Sequence, residues 1–516
     1  MSFEALLGLL LAAVVLAAIA RRVGVPYPAF LALGGAFLAF IPGSPTFAIE
    51  PRLVLALFVA PVLLDSAFDA SPRDLRNNWV PLVNLVVVGV AVTTLTVAVA
   101  VRTLVPNIPW AAAIALGAIV APPDATAATA VLRHVKPPHR ILTILEGESL
   151  LNDASALLIY RLAIVALATN TFSVGANAPV LLVAVIGSVV FGLVAARVVL
   201  RLTKDVRDVP TSIIVQFIST FGVWIVAERI GLSGVLTMVC YALAVARPAS
   251  EMTPARMRIP SYAVWETAVF VLNVLAFVFI GLQIRPILSA LDPAVRVRYL
   301  WIAAAVLFAV IAVRLVWVGI YYAVVRWRSH HIRRHRRPNQ PLPSFKGVFT
   351  VGWSGMRGIV TLAAALALPL QIGGAAFPFR DLIILTAFAV VLGTLVIQGL
   401  TLGPLVRIFQ LRDDDSVARE VTSARDRALG AAVAILDGFD SEVARLVRQE
   451  FTSHLGAPSE MEDESSHHQR LHRSALVAAR QTILQMRASD EIGDDAFHQL
   501  EQEFDWIEMA TDPQEP

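Results

Sequence analysis

Apolar residues in this chain come in long blocks rather than in the one-face stripe of a surface helix. The blocks recur from Phe3 to Phe409, most near the roughly 20 residues needed to cross the hydrocarbon core of a bilayer. Thirteen spans are read, at roughly 3–20, 28–42, 52–70, 79–104, 109–133, 140–168, 179–201, 211–230, 232–247, 262–284, 299–325, 347–371 and 380–409. The pattern changes at Leu411. Asp413, Asp414 and Asp415 open a polar tail in which apolar positions return at helical spacing over Val421–Leu446 and Leu471–Met486, with a loop at Gly456–Gln469 between them. The pattern predicts an all-α polytopic membrane protein, with a transmembrane domain over 1–410 and a helical cytoplasmic tail over 411–516.

Two spans are interrupted. The fifth carries Ala121-Pro122-Pro123-Asp124, where two prolines remove two backbone donors and clash with the preceding turn. The twelfth carries Gly352, Gly355 and Gly358, a glycine density that permits unwinding. If spans 1–6 and 8–13 are repeats joined by span 7, each broken helix is the fifth of its half, and the halves have opposite topology. Paired interruptions in inverted repeats point to the substrate site of a transporter.

Composition agrees with a membrane protein. Hydrophobic residues make up 57% of the 516 and charged residues 16%, against about 25% charged in soluble domains. The placement of basic residues sets topology. No basic residue precedes the first block, whereas Arg21 and Arg22 follow it, which argues against a cleaved signal and for an outside N-terminus. Six alternate loops are then basic, among them Arg133, Lys136 and Arg140; Arg201, Lys204 and Arg207; and Arg247, Arg256 and Arg258. The intervening loops hold little, which places the tail in the cytoplasm. Cys240 lies in an apolar run and is expected to pack, and no nucleic-acid partner is expected.

Charges inside spans are costly, at about 2.5–3.5 kcal/mol each on insertion scales. They concentrate around the interruptions. Asp124 is in the fifth span, Glu148 and Asp153 in the sixth, Arg314 in the eleventh and Arg357 in the twelfth. Ser149 and Asp153 are i and i+4, on one helix face. Glu148 and Asn152 form a second such pair, turned about 100° away on the helix. Asp124, Asp153, the Ser149 hydroxyl and the carbonyl of Pro123 make an all-oxygen set suited to a hard cation. Two nearby carboxylates also take up a proton readily when the cation leaves. Competition of cation and proton for one site is the chemistry of exchange. Glu148 is free to meet Arg357 as a buried ion pair. Arg314 is read as another structural charge, and Glu146 as a residue of the cytoplasmic mouth.

Gly147-Glu-Ser-Leu-Leu-Asn-Asp153, Trp353-Ser-Gly-Met-Arg-Gly358 and Trp265-Glu-Thr, with Leu272-Asn273 and Phe279-Ile-Gly281, resemble the cation–proton antiporter family of the bacterial NhaP type, which is related to the animal sodium–proton exchangers. The resemblance covers about residues 1–410 and not the tail. It implies a homodimer in the bacterial inner membrane. A core of about 79–168 and 299–409 would carry the ion by an elevator movement against dimerisation helices of about 1–70 and 179–284. By position Asp153 looks like the ion-binding aspartate, with Asp124, Ser149 and the Pro123 carbonyl as co-ligands. Glu148 and Arg357 look like the structural pair. Asp65 stands where the family has a glutamate near the site. The implied substrates are Na+, K+ or Li+ and H+, with no cofactor. The family usually has Thr-Asp-Pro where this chain has Pro123-Asp124-Ala125, so one hydroxyl is lost. Asn152, in place of a second acid, is similar to the electroneutral branch and implies one-for-one exchange.

Other readings fit less well. An intramembrane aspartyl protease would resemble Tyr-Asp and Gly-x-Gly-Asp patterns that are absent here. A potassium–proton antiporter shares every feature above. A non-transporting sensor with the tail as output would not need paired broken helices, and His467, His468 and His472 of the tail, which could sense pH, are read as part of a solvated loop.

Overall fold

The computed structural model describes residues 3–453 apart from 24–25, 42–50, 133–134, 136, 170–173, 253–254, 332–343, 373, 412, 414, 437 and 440, together with 479, 481–482 and 485–486. The chain forms two units, Met1–Asp414 and Asp415–Pro516.

The first unit is helical. It runs through α1 (Phe3–Val23), α2 (Tyr27–Leu38), and α3 (Pro51–Val54), which passes through a π-helical segment, Leu55–Val59, into α4 (Ala60–Asp69). There follow α5 (Pro72–Asn77), α6 (Trp79–Val83), a second π-helical segment (Asn84–Gly89) and α7 (Val90–Leu104). Next come α8 (Trp110–Val120), α9 (Ala125–Leu132), α10 (His139–Thr169), α11 (Val174–Thr203), α12 (Val209–Arg229), α13 (Gly234–Met252) and α14 (Ala255–Leu282). The unit closes with α15 (Ile284–Ser289), α16 (Pro293–His331), α17 (Phe345–Trp353), α18 (Ile359–Leu366) and α19 (Arg380–Phe409). Among the described residues, eight helical stretches are long and apolar enough to cross a membrane, and Tyr27–Leu38, Leu55–Phe68 and Gly234–Ala246 are shorter apolar ones.

Helix starts follow local chemistry. Ser71, Asp208 and Ser344 cap α5, α12 and α17 by accepting the N–H of Asp74, Thr211 and Gly347 at 3.2, 2.9 and 3.0 Å. The Thr211 bonds hold the exposed Asp208 carboxyl below the usual carboxylate range. The twelfth span was expected to run to residue 371, but α18 stops at Leu366. Arg380 donates to the carbonyls of Leu366 and Leu368 there, at 3.2 and 3.1 Å. A two-residue hairpin follows, with Gln371 opposite Ala376 and Ile372 opposite Ala375, and it turns at Gly374, whose φ of +84° suits glycine.

Packing is closest where side chains are missing. A methyl on Gly35 of α2 would meet the Val278 carbonyl of α14, and one on Gly281 of α14 would meet the Ala32 carbonyl of α2. Across the α7–α8 contact, a methyl on Gly117 would meet the Thr94 carbonyl. Such small-residue seams suit helices in lipid, where dispersion rather than water drives association.

The second unit begins with α20 (Ser416–Leu436) and α21 (Glu442–Ser453), so the helical stretch expected over Val421–Leu446 is two helices parted near residue 439. The loop at Gly456–Gln469, with His467 and His468, lies outside the described residues, as does most of Leu471–Met486 including His472.

Candidate cation site

The site is built around the prolines between α8 and α9. Residues 121–124 leave the helical path, which releases carbonyls at the end of α8. Arg357 fills that need. Its Nε donates to Val120 O at 3.0 Å and its Nη2 to Ala121 O at 3.2 Å, and Nη1 donates to Gly355 O. The Arg357 N–H is held by Thr394 Oγ1 at 3.1 Å. Asp124 restarts the helix, since its Oδ1 accepts the Thr126 N–H at 2.8 Å. Its own N–H donates to Met356 O at 2.7 Å, which joins the two interruptions directly.

Two side chains of α10 hold this turn from the other side. Asn152 Nδ2 donates to Pro123 O at 2.7 Å, and Ser149 Oγ accepts the Ala125 N–H at 3.1 Å. Each acceptor retains a lone pair. Asp153 is buried, and among the described residues no hydrogen-bond donor engages its carboxylate. A buried carboxylate without donors is costly unless a cation or proton joins it.

Asp65, Asp124, Ser149 and Asp153 line one cavity of about 1250 Å3, and Glu146 lies on its wall as well. The cavity reaches the end of the bundle that carries Arg21, Lys204, Arg207 and Arg258. The part of its wall formed by α12, α13 and α14 is polar too. Gln216 Oε1 accepts from Ser261 Oγ at 2.9 Å and from Trp265 Nε1 at 2.6 Å, and Tyr241 OH donates to Ser219 Oγ at 3.1 Å. This wall was not expected from the sequence. Its signal was present, because Ser212, Gln216, Ser219 and Thr220 recur at helical spacing in an otherwise apolar span.

One expected contact is corrected. Glu148 does not pair with Arg357. It pairs with Arg314, whose Nη1 and Nη2 donate to Oε1 and Oε2 at 2.6 and 2.8 Å. Arg314 also donates from Nε to Gly352 O and from Nη2 to Val351 O, both at 3.2 Å. The reason is competition among acceptors. Arg357 sits beside the free carbonyls of α8 and commits its donors there, whereas Arg314, projecting from α16, presents its planar fork squarely to a carboxylate.

A family model described as sodium/hydrogen exchanger, transmembrane, matches residues 9–408. The chain belongs to this family. A sodium, potassium, lithium and rubidium/H(+) antiporter of Bacillus subtilis (strain 168) is 26% identical over 511 residues, spanning 94% of this chain and 74% of that protein. An uncharacterised Na(+)/H(+) exchanger of Mycobacterium bovis is 28% identical over 526 residues, spanning 98% and 95%. The solved structure of the sodium proton antiporter MjNhaP1 from Methanocaldococcus jannaschii at pH 8 aligns with a TM-score of 0.59 at 18% identity, covering 79% of this chain and 98% of that one. That likeness establishes the fold alone. As a family member, this exchanger is a multi-pass cation–proton transporter and not an enzyme, and its ions are substrates with no cofactor involved.

Proposed function

We propose that this exchanger moves sodium against protons one for one, with Asp153 and Asp124 alternately holding the cation and a proton. Ser149 and the Pro123 carbonyl complete the oxygen set, and Asp65 stands at its edge. The observation that carries the reading is the Asp153 carboxylate, buried and, among the described residues, without a donor, in a cavity that also receives Asp124. The name of the Bacillus subtilis relative supports a broader choice of cation, potassium and lithium included.

In this reading the chain crosses the membrane thirteen times, with α8–α9 and α17–α18 as the broken crossing helices of two inverted repeats. The N-terminus lies outside and the tail inside, so the cavity opens to the cytoplasm. A core of about 79–168 and 299–409 moves as an elevator against helices of about 1–70 and 179–284, which pair two copies into a homodimer of the bacterial inner membrane. Asn152 is spent on the Pro123 carbonyl and cannot titrate, which supports electroneutral exchange.

The test is cation-dependent proton flux in proteoliposomes, with sodium, potassium and lithium in turn. Asp153→Asn keeps shape and removes charge, and is expected to abolish flux in a folded protein. Apparent sodium affinity should fall as pH is lowered, at nearly constant maximal rate. Flux by folded Asp153→Asn, or an affinity that ignores pH, refutes the mechanism.

A further inference from the structure

The helix that carries Asp153 continues past the site to a second polar contact. Ser149, Asp153, Leu157 and Arg161 follow one another at i+4 steps along α10, so they form one stripe that winds slowly round the helix. The lower pair faces the cavity. Leu157 packs beside Leu150 and Ala154 against the cluster that holds Trp224, Val235, Met238 and Val239 of α12 and α13. Arg161, about 12 Å beyond Asp153 at helical rise, reaches the turn between α12 and α13. There Nη2 donates to both Glu228 oxygens at 3.2 Å, and Nη1 and Nη2 donate to Leu232 O at 3.3 and 3.4 Å.

The acceptor is itself fixed. Glu228 Oε1 also accepts the N–H of Gly234, the first residue of α13, at 2.9 Å. Arg161 therefore grips a rigid corner rather than a mobile side chain. Along α10 the order is open cavity, apolar seal, then ion pair, with the pair at the end away from Arg207 and Arg258.

We infer that Arg161 and Glu228 form a latch that holds the outer side shut in the conformation seen here, and that it must part in every transport cycle. The inference rests on the exchange reading above, in which α10 travels with the core while α12 and α13 stay with the scaffold. Arg161 is a positioning residue: it does not touch the cation and acts on which side the site faces. The pair is partly exposed, at 36% and 43%, so it is weak enough to break each cycle.

Two measurements on the full-length protein test this. In the first, Arg161→Cys and Glu228→Cys are introduced in a Cys240→Ala background, and exchange is measured before and after bridging with a bis-maleimide. Bridging is expected to stop exchange at least tenfold, while single-cysteine controls treated alike keep it. Bridged protein that exchanges within twofold of unbridged protein overturns the latch. In the second, Ser219→Cys on the cavity wall, in the same background, is labelled by an impermeant thiol reagent from the side of the basic loops. Adding Arg161→Ala should slow labelling a few-fold at unchanged thermal stability, and Arg161→Lys should restore part of the rate. An unchanged labelling rate in Arg161→Ala overturns the latch. Labelling needs no ion flux, so it judges the latch even if wild-type protein shows no exchange, an outcome that refutes the exchange reading itself.

Discussion

The two interruptions solve one electrostatic problem with opposite materials. Between α8 and α9 the chain is broken by prolines and presents a carboxylate, Asp124, to the cavity. Between α17 and α18 it is broken by glycines and turns its charged residue, Arg357, inward to 1% exposure. In both, a half-helix ends with its carbonyls pointing into the protein, where the partial negative charge of the dipole accumulates. In both an arginine answers it: Arg357 for α8, and Arg314 for α17. The difference lies in what remains. The proline break leaves a carboxylate that the cavity can reach, and the glycine break leaves none. In the proposed reading, one interruption is a place for an ion, and the other is the support that holds it.

That contrast can be broken by mutation. The largest effect is expected at Arg314. Arg314→Ala leaves Glu148 buried without its counter-charge, a loss of about 3–5 kcal/mol, read as a fall in thermal stability of the purified protein. Adding Glu148→Gln should recover part of it. The same addition should not rescue Arg357→Ala, since Glu148 is not bonded to Arg357; rescue of the wrong variant would reverse the assignment of the two arginines.

The next effect concerns transport rather than folding. A methyl on Gly358 would run into the Asp124 carboxylate. Gly358→Ala should therefore displace that carboxylate, and a shift of about 1 Å at a reacting group can cost roughly 100-fold. Proteoliposome flux measures it, and full flux would show that Asp124 need not stay where it is. Arg357→Lys keeps the charge but loses the fork that spans Val120 and Ala121. It should cost about 1.5–3 kcal/mol, the worth of a charged hydrogen bond, again by thermal stability. The smallest effect is expected at Gly352, where an added methyl is tight only against the flexible end of Leu315 at 3.1 Å and otherwise meets Val318 and the Leu315 backbone at ordinary contact distance. Gly352→Ala should change stability by less than about 1 kcal/mol. Gly352 lies inside α17 and Gly358 in the break, so equal damage at both would mean that the contact with Asp124 is not what Gly358 protects.

Local chemistry explains which parts could be read in advance. Ala121-Pro122-Pro123 announces a break because proline acts on its own backbone, and Ser149 and Asp153 share a face by helical arithmetic alone. The choice of partner for Glu148 is different. Arg314 and Arg357 lie far from it in sequence, and what decides between them is which arginine sits beside open carbonyls, a property of three-dimensional packing. The end of α18 at Leu366 also depends on a distant group, since Arg380 takes the last carbonyls. The polar wall around Gln216 fell between these cases. Its spacing was legible, but a stripe of small polar residues in a membrane helix satisfies its own backbone as readily as it lines water.

The glycine seams carry a consequence for fidelity. Gly35 and Gly281 lock α2 to α14, and Gly117 locks α8 to α7, backbone against backbone with no side chain to repack. In the proposed division the first seam belongs to the scaffold and the second to the core. Each body would then be stiff within itself, and compliance would be left to the surface between them. In the proposed movement, a stiff core would carry its oxygen cage across the membrane without loosening it. An exchanger that cannot loosen its cage midway cannot drop its ion or let a second one slip past, so coupling would be protected by methyl groups that the helix seams lack.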